Sequence, residues 1–299
     1  MNGVLIINKP AGLTSHDVVN RVRRILRERS VGHLGTLDPS ATGVLPLVIG
    51  NWTRLAQFYT KSEKSYEGII CFGFATDTYD SDGEPTGPRI DLQASLEEIR
   101  ELARGFRGQI EQTPPPFSAK KIQGVPAYKL ARKGKEVLLG PVMVEVKEFE
   151  ILSLETQCAA FRAGVTSGTY MRSIAHDMGQ RLGCGAHLKS LCRTALAEFA
   201  LGDALSFEQL EEAAVNHRVE DLFVHPRKLL PEFPAVTATE ADAARIRTGR
   251  TVNLPELSRA RQVRVFQGQR DLIAIADRVA GSLFHPKIVL VSDAAQLTH

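Results

Sequence analysis

Cysteine is scarce in this sequence and carries no metal-binding spacing. Cys71, Cys158, Cys184 and Cys192 are scattered along 299 residues without a Cys-x-x-Cys pair, a usage that fits reduced thiols in a cytoplasmic protein. Cys184-x-x-His187 offers two ligands, and two ligands do not make a metal site. Long apolar runs are also missing, and none approaches the ~20 residues of a membrane span. The apolar run Val4 to Ile7 stops at Asn8 and Lys9. It is too short for a signal peptide and reads as a first strand. The chain lacks repeats, low-complexity stretches and a P-loop, and it has no acidic metal cluster near Asp38. Those absences weigh against a phosphotransferase.

A strong charge of one sign is lacking too. A net charge of +3 permits an anionic partner without demanding one. The distribution is more telling. Thr113 to Lys135 holds Lys120, Lys121, Lys129, Arg132, Lys133 and Lys135 and no acid. Arg21 to Arg29 holds Arg21, Arg23, Arg24, Arg27 and Arg29 against Glu28 alone, while acids gather at Asp77 to Glu84 and Glu97 to Glu101. Such basic stripes could meet phosphates, or they could be a solvated helix face and a lysine-rich loop. The hydrophobic content of 43% and charged content of 24% are those of an ordinary globular chain. The length suggests two domains, with a core large enough to need neither metal nor disulfide.

The hydrophobic pattern mixes strands and helices without regular βαβ alternation. Thr14 and Asp17 form a capping-box signature ahead of a helix carrying Val18, Val22, Ile25 and Leu26 on one face. Val44 to Ile49 reads as a second buried strand, Trp52 to Tyr59 as a short helix and Tyr66 to Phe74 as a strand. Ser95 with Glu98 opens a helix to about Phe106. A short helix is expected near Ala127 to Arg132. Val142, Val144 and Val146 alternate as in a half-exposed strand, and Phe161 to Thr166 reads as another. Met171, Ile174, Ala175, Met178 and Leu182 make one helical stripe ending at Gly183, a C-terminal cap residue. Ser206 caps a further helix. Pro231 and Pro234 bracket a linker, and the tail beyond it reads as a helix near Ala241 to Arg247 with strands at Val263 to Phe266, Leu272 to Ala276 and Ile288 to Val291. The pattern predicts an α+β fold with a mixed, largely antiparallel sheet.

The densest candidate for chemistry is Gly32-His33-Leu34-Gly35-Thr36-Leu37-Asp38-Pro39-Ser40-Ala41-Thr42-Gly43. Glycines let the backbone turn tightly or approach a ligand. Pro39 biases Asp38 away from helix. A carboxylate on such a loop can be a nucleophile, a base or a metal ligand, or only a turn former.

This loop resembles the catalytic loop of the bacterial tRNA pseudouridine synthase B (TruB) family, G-H-x-G-x-L-D-P-x-A-x-G-x-L-P, unbroken from Gly32 to Pro46. Asn8-Lys9-Pro10-x-Gly12-x-Thr14-Ser15 resembles the family's N-terminal motif, and Lys64-Ser65-Tyr66 its K-x-Y motif. Gly73-x-x-Thr76-x-Thr78-x-Asp80, Ser167-Gly168-Thr169-Tyr170-x-Arg172-Ser173, Gly185-Ala186-His187-Leu188 and Leu191-x-Arg193-Thr194 follow in family order. Thr113-Pro114-Pro115-x-Phe117-Ser118-Ala119 resembles the opening of its RNA-gripping thumb loop, spanning about 113–138. The tail is similar to a small RNA-binding domain of PUA type.

The resemblance implies a pseudouridine-synthase-type catalytic domain over 1–232 and a β-rich PUA-like domain over 233–299. It implies isomerisation of uridine 55 in the T-loop of tRNA. The glycosidic bond breaks, the base rotates and C5 joins C1′, with no cofactor and no metal. Asp38, Tyr66 and Arg172 would be catalytic. Asp38 would act as a nucleophile at C1′ or C6, or as a base at C2′. Arg172 would orient it through a bidentate fork. Tyr66 would stack on the flipped uracil, and His33 would fill the space it leaves. Tyr170, Asp80, Arg54, Leu191 and Lys64 would bind substrate. The implied partner is tRNA alone, met in the cytoplasm by a monomer that needs no guide RNA, obligate protein partner or membrane.

Overall fold

Strand β1 (Gly3–Lys9) is apolar at successive positions because both of its faces are covered. Side chains alternate across a strand. Leu5 and Ile7 enter a core beneath the helices, while Val4 and Ile6 enter a second core on the opposite face. The same division splits β3 (Thr42–Ile49), with Leu45 and Leu47 on one side and Val44 and Val48 on the other. A computed structural model describes residues 1–118, 120–122, 125–127, 139–256 and 258–290, with backbone alone at 121–122 and 125–126.

The remaining strands are β2 (Val31–His33), β4 (Lys64–Phe72), β5 (Gly108–Gln112), β6 (Lys121–Ile122), β7 (Val125–Pro126), β8 (Val142–Glu155), β9 (Cys158–Val165), β10 (Ala186–Leu196), β11 (Phe199–Ala200), β12 (Ala235–Thr237), β13 (Val252–Asn253), β14 (Gln262–Gln267), β15 (Asp271–Ala280) and β16 (Leu283–Val289). A nine-stranded sheet runs β1-β3-β10-β4-β9-β8-β5, with β2 paired to β3 and β11 to β10. A five-stranded sheet runs β12-β14-β15-β16-β13. Pairing is antiparallel except β10 with β3 and β12 with β14, so the fold is α+β with antiparallel-dominated sheets, as expected.

Helices α1 (Ser15–Leu26), α2 (Leu96–Arg104), α3 (Met171–Leu182) and α4 (Phe207–Val215) cover one face of the large sheet through Val18, Val22, Ile99, Ile174, Met178 and Leu210. Their starts follow the sequence signals. Thr14, Ser95 and Ser206 each close a capping box, with Asp17, Glu98 and Gln209 respectively. Gly183 caps α3 at φ 72°, a conformation glycine adopts without a Cβ penalty. A further helix, α5 (Glu240–Arg247), belongs to the tail and packs beside the smaller sheet.

Two expectations are corrected. The segment Gly50–Phe58 is a 3₁₀ helix, which places Trp52 and Leu55 one three-residue turn apart in the second core. Cys71 and Cys158 are not reduced thiols but a disulfide, set opposite one another by the register of β4 and β9. Beyond the linker, the tail packs against the large sheet. Phe266, Leu272, Ile275, Ile288 and Leu290 pack into the second core with Val4, Ile6, Trp52 and Leu55. Arg264, buried in the small sheet, donates to the carbonyls of Arg227, Leu229 and Phe233 and so holds the connecting segment. The helix expected at Ala127 to Arg132 falls almost wholly outside the described residues.

Candidate active site

The glycine-rich loop leaves β2 at His33 and re-enters the sheet at Thr42, so its carbonyls have few ladder partners. Side chains from elsewhere supply them. Arg193 on β10, 0% exposed, donates to Gly35 O at 3.0 Å, Thr36 O at 3.2 Å and Val44 O at 2.8 Å. Lys9 at the end of β1 donates to Pro39 O at 3.0 Å and to Leu13 O and Pro10 O. Ser15 accepts from Leu37 N at 2.8 Å and donates to Leu37 O at 3.1 Å. Gly43 leaves the loop at φ 99° with its Cα against Arg193, where a Cβ would sit 2.3 Å from Arg193 O. The loop is thus irregular but fully tied down, and two buried cations do most of the tying. Burial lowers the Lys9 ammonium to about 8, against the attraction of Asp38.

Asp38 stands at the mouth of this arrangement. Its Oδ2 lies 2.9 Å from Arg172 Nε, with the two side chains 37% and 5% exposed. The Nε–H is off the line to that oxygen, so the contact is an ion pair in distance without hydrogen-bond geometry. The rest of the Arg172 fork faces away from Asp38. Nη1 donates to Thr78 O at 3.0 Å and lies 3.5 Å from Asp80 Oδ2, and Nη2 donates to Phe117 O at 3.0 Å. The bidentate grip on Asp38 expected from the sequence is therefore absent.

Arg172 occupies the first turn of α3, and that turn is stitched to the segment leading into 113–118. Gln112 donates to Tyr170 O at 3.1 Å and accepts from Tyr170 N at 2.8 Å, while Ser173 donates to Thr113 O at 2.9 Å. Tyr79 sits at φ 66°, a left-handed conformation uncommon outside glycine. Its ring stacks on His176, one turn after Arg172, with centroids 3.8 Å apart. The stack holds the turn that presents Thr78 O and Asp80 to the guanidinium.

A cleft of about 590 Å³ opens over Asp38. His33, Lys64, Tyr66, Tyr170, Arg172 and Leu191 line it as well. Tyr66 is buried, and burial raises its phenol while the neighbouring Arg193 pulls it back. Tyr170 is raised by burial likewise, and His33 is lowered by burial and by Arg193. Lys64 is lowered to about 8, chiefly by burial and then by Arg193. The cleft thus sets one ionic carboxylate among buried aromatic rings and cations.

Two expected residues lie elsewhere. Asp80 is 7% exposed, and its carboxylate accepts from Thr78 Oγ1 at 2.5 Å and Asp82 N at 3.1 Å while facing Arg172. Burial raises its carboxyl, opposed by Thr78 and Arg172. Arg54 donates to Val289 O at 2.9 Å, tying the 3₁₀ helix to the tail. Conversely, the sequence motifs assign no role to Lys9, Ser15, Gln112 or Arg193, all of which hold the site together. Lys9, Ser15 and Arg193 lie within quoted motifs, and Lys9 is moreover a cation closing an otherwise apolar strand, where buried lysine is rare unless paired; Gln112 carries no such signal. Among the described residues, no three His, Cys, Asp or Glu side chains gather as a metal would need. No described helix is long and apolar enough to cross a membrane.

Residues 23–171 match the model of the TruB family pseudouridylate synthase N-terminal domain, and residues 172–231 that of the tRNA pseudouridylate synthase B C-terminal domain. A curated protein of Solibacter usitatus called tRNA pseudouridine synthase B is 51% identical over 97% of this chain and 100% of its own length. One of the same name from Geobacter sulfurreducens is 39% identical over 94% and 95%. Among solved structures, a chain of a Cbf5–Nop10–Gar1 complex superposes with a TM-score of 0.73 at 24% identity, covering 97% of this chain and 85% of that one. A chain of an H/ACA RNP bound to a substrate RNA containing 2′-deoxyuridine gives 0.72 at 22%, with the same coverage. At such identities the likeness is one of fold.

Proposed function

The chain belongs to the TruB family of pseudouridylate synthases and is a tRNA pseudouridine synthase; from that premise we propose that it isomerises uridine 55 of the tRNA T-loop with Asp38 as the reacting carboxylate. The observation that carries this reading is the contrast within one ion pair. Both groups line the cleft, but the carboxylate is 37% exposed to it and the cation beside it only 5%.

The target uridine leaves the folded RNA at a cost of a few kcal/mol and enters the cleft. Tyr66 stacks on the flipped uracil, worth roughly 1–3 kcal/mol, with Tyr170 and Leu191 closing around it. His33 fills the gap in the RNA stack, and Lys64 meets a phosphate. Asp38 attacks C1′ or C6, or removes a proton from C2′, and the bond it forms breaks, or the proton returns to C2′, before the product leaves. The C1′–N1 bond breaks, the uracil turns, C5 bonds to C1′, and the C5 proton is lost to solvent as N1 gains one. Atoms and charge balance without an oxidant, and Arg172 holds Asp38 in place throughout. The tail, 233–299, acts as a PUA-type RNA-binding domain beside a catalytic domain of 1–232. The enzyme works in the cytoplasm as a monomer, without guide RNA or obligate protein partner.

The test uses an unmodified tRNA transcript tritiated at uridine C5. Release of tritium from that position without any added cofactor is expected. Retention of the label, or release from a different uridine, overturns the reading.

A further inference from the structure

The C-terminal end of α1 forms a groove of about 340 Å³ lined by Arg23, Arg24, Arg27, Glu28 and Arg29. Glu28 does not neutralise it. Its carboxylate lies 3.7 Å from the Met1 amino terminus and accepts from Ser30 N at 2.8 Å. Arg23 is also engaged, donating to Asn20 Oδ1 at 3.3 Å and Val31 O at 2.9 Å. Arg24, Arg27 and Arg29 remain exposed and, among the described residues, have no acid within ion-pair distance. Several surface arginines elsewhere are matched to acids, among them Arg21 with Glu211, Arg104 with Glu97 and Glu101, Arg162 with Glu67 and Arg218 with Asp221, whereas here three unmatched cations gather in one groove.

The backbone brings Arg27 to the end of the helix. Arg27 sits at φ 50°, ending α1 through its N–H to Arg23 O and Arg24 O. Glycine meets that conformation without penalty, whereas a side chain there costs on the order of 1–2 kcal/mol. A long cation occupies a position where the helix alone favours no side chain.

The groove also leads into the active site. Arg29 O accepts from Val31 N at 3.1 Å, at the start of β2. At ~3.3 Å per residue, His33 and the cleft lie only about 7 Å beyond Val31.

We propose that this groove is a docking site for backbone phosphates of the substrate tRNA, next to the strand that enters the cleft. The site presupposes the tRNA reading above and adds a contact surface to it. Guanidinium forks match phosphate oxygens in geometry and charge. No aromatic residue lines the groove to stack on a base, and the cations address the backbone, a contact that fixes register rather than sequence.

The test measures equilibrium tRNA binding across salt concentrations for the parent and for Arg24→Gln/Arg27→Gln/Arg29→Gln. Removing the cations from two or three phosphates flattens the log–log salt slope by roughly 1.4–2.7, at 0.7–0.9 per phosphate. The single-turnover rate at saturating tRNA stays at the parental value. Arg24→Gln/Arg29→Gln leaves the Arg27 cap intact and flattens the slope by about two phosphates' worth, which covers the case in which the triple variant melts early. An unchanged slope in the folded double variant overturns the proposal, as does a slope change accompanied by loss of the saturating rate. Binding is read without turnover. A parent that binds tRNA but releases no tritium therefore sinks the assigned reaction alone, while an unaltered variant slope sinks the groove alone.

Discussion

Arg172 Nε lies 2.9 Å from Asp38 Oδ2, yet Arg172 is 5% exposed and Asp38 37%. The guanidinium is a buried cation held by four separate oxygens, of which Asp38 supplies one. Lysine keeps the charge but has a single nitrogen, which cannot reach Thr78 O, Phe117 O, Asp80 and Asp38 at once. Arg172→Lys is expected to slow single-turnover chemistry at least tenfold and to lower the melting temperature, because carbonyls buried with Arg172 lose their donors. Parental rates together with a parental melt would show that Asp38 does not depend on this guanidinium.

Asp38→Asn preserves shape and removes the carboxylate. Positioned acid–base groups contribute roughly 10²–10⁴-fold, and a nucleophile at least as much, so turnover should fall by 10² or more. Binding should stay within a few-fold of the parent, since Arg193, Lys9 and Ser15 hold the loop through its backbone and not through Asp38. Tritium release above a few per cent of the parental rate would remove Asp38 from the mechanism.

The loop was legible in the sequence, and Lys9, Ser15 and Arg193 stand in its motifs, but their role as supports of the loop was not. Gly32 to Pro46 carries its signal in consecutive residues, and the capping boxes at Thr14, Ser95 and Ser206 are equally local. Strand β10 is different. Bulges between Leu188 and Ser190 and between Arg193 and Ala195 break its alternation, and Lys189, Ser190 and Arg193 hide it from a hydrophobic pattern. It is nevertheless the strand that brings Leu191 to the cleft and Arg193 to the loop. Cys71 and Cys158 meet only through strand register, 87 residues apart. Asp80 reads as a surface acid in a polar stretch and is buried by distant partners, Leu188 on β10 and Arg172 on α3.

Tyr66 separates ring from hydroxyl. Tyr66→Leu removes the stacking surface and should slow the chemical step severely. Tyr66→Phe keeps the ring and loses a phenol that stands beside the buried Arg193. If Phe restores the rate, the ring acts by stacking. If Phe fails like Leu, the hydroxyl has a role of its own, in proton transfer or in holding Arg193. Single-turnover rates equal to the parent in both variants would place Tyr66 outside the reaction.

Lys64 predicts two opposite pH trends. Its ammonium is lowered to about 8 from 10.5, so between those values the unfolded chain binds a proton that the folded chain does not. Its contribution to stability therefore rises as pH climbs from about 8 towards 10.5. Binding runs the other way, because the cation that meets phosphate is lost above pH 8. Parental tRNA affinity should weaken from pH 7 to 9 more than that of Lys64→Gln. Parallel pH profiles of Kd in the two proteins would show that Lys64 does not contact RNA.

The tail tests the division of labour between the two sheets. Every residue lining the cleft precedes Arg193, so chemistry at saturating tRNA should not need residues from Ala235 onward. The packing, however, makes simple deletion costly. Phe266, Leu272, Ile275, Ile288 and Leu290 share a core with Val4, Ile6, Trp52 and Leu55, and each buried side chain of this size is worth roughly 1.5–3 kcal/mol. Truncation at Ala235 is therefore expected to lower the melting temperature by many degrees as well as to weaken tRNA binding. A gentler variant separates the effects. Arg259→Gln/Arg261→Gln removes tail cations without touching that core. It should leave the saturating single-turnover rate unchanged and flatten the salt slope by roughly 0.7–0.9 for each phosphate that the variant no longer neutralises. If this folded variant keeps its salt slope but loses the saturating rate, the tail contributes to the active site and the division at residue 232 is wrong.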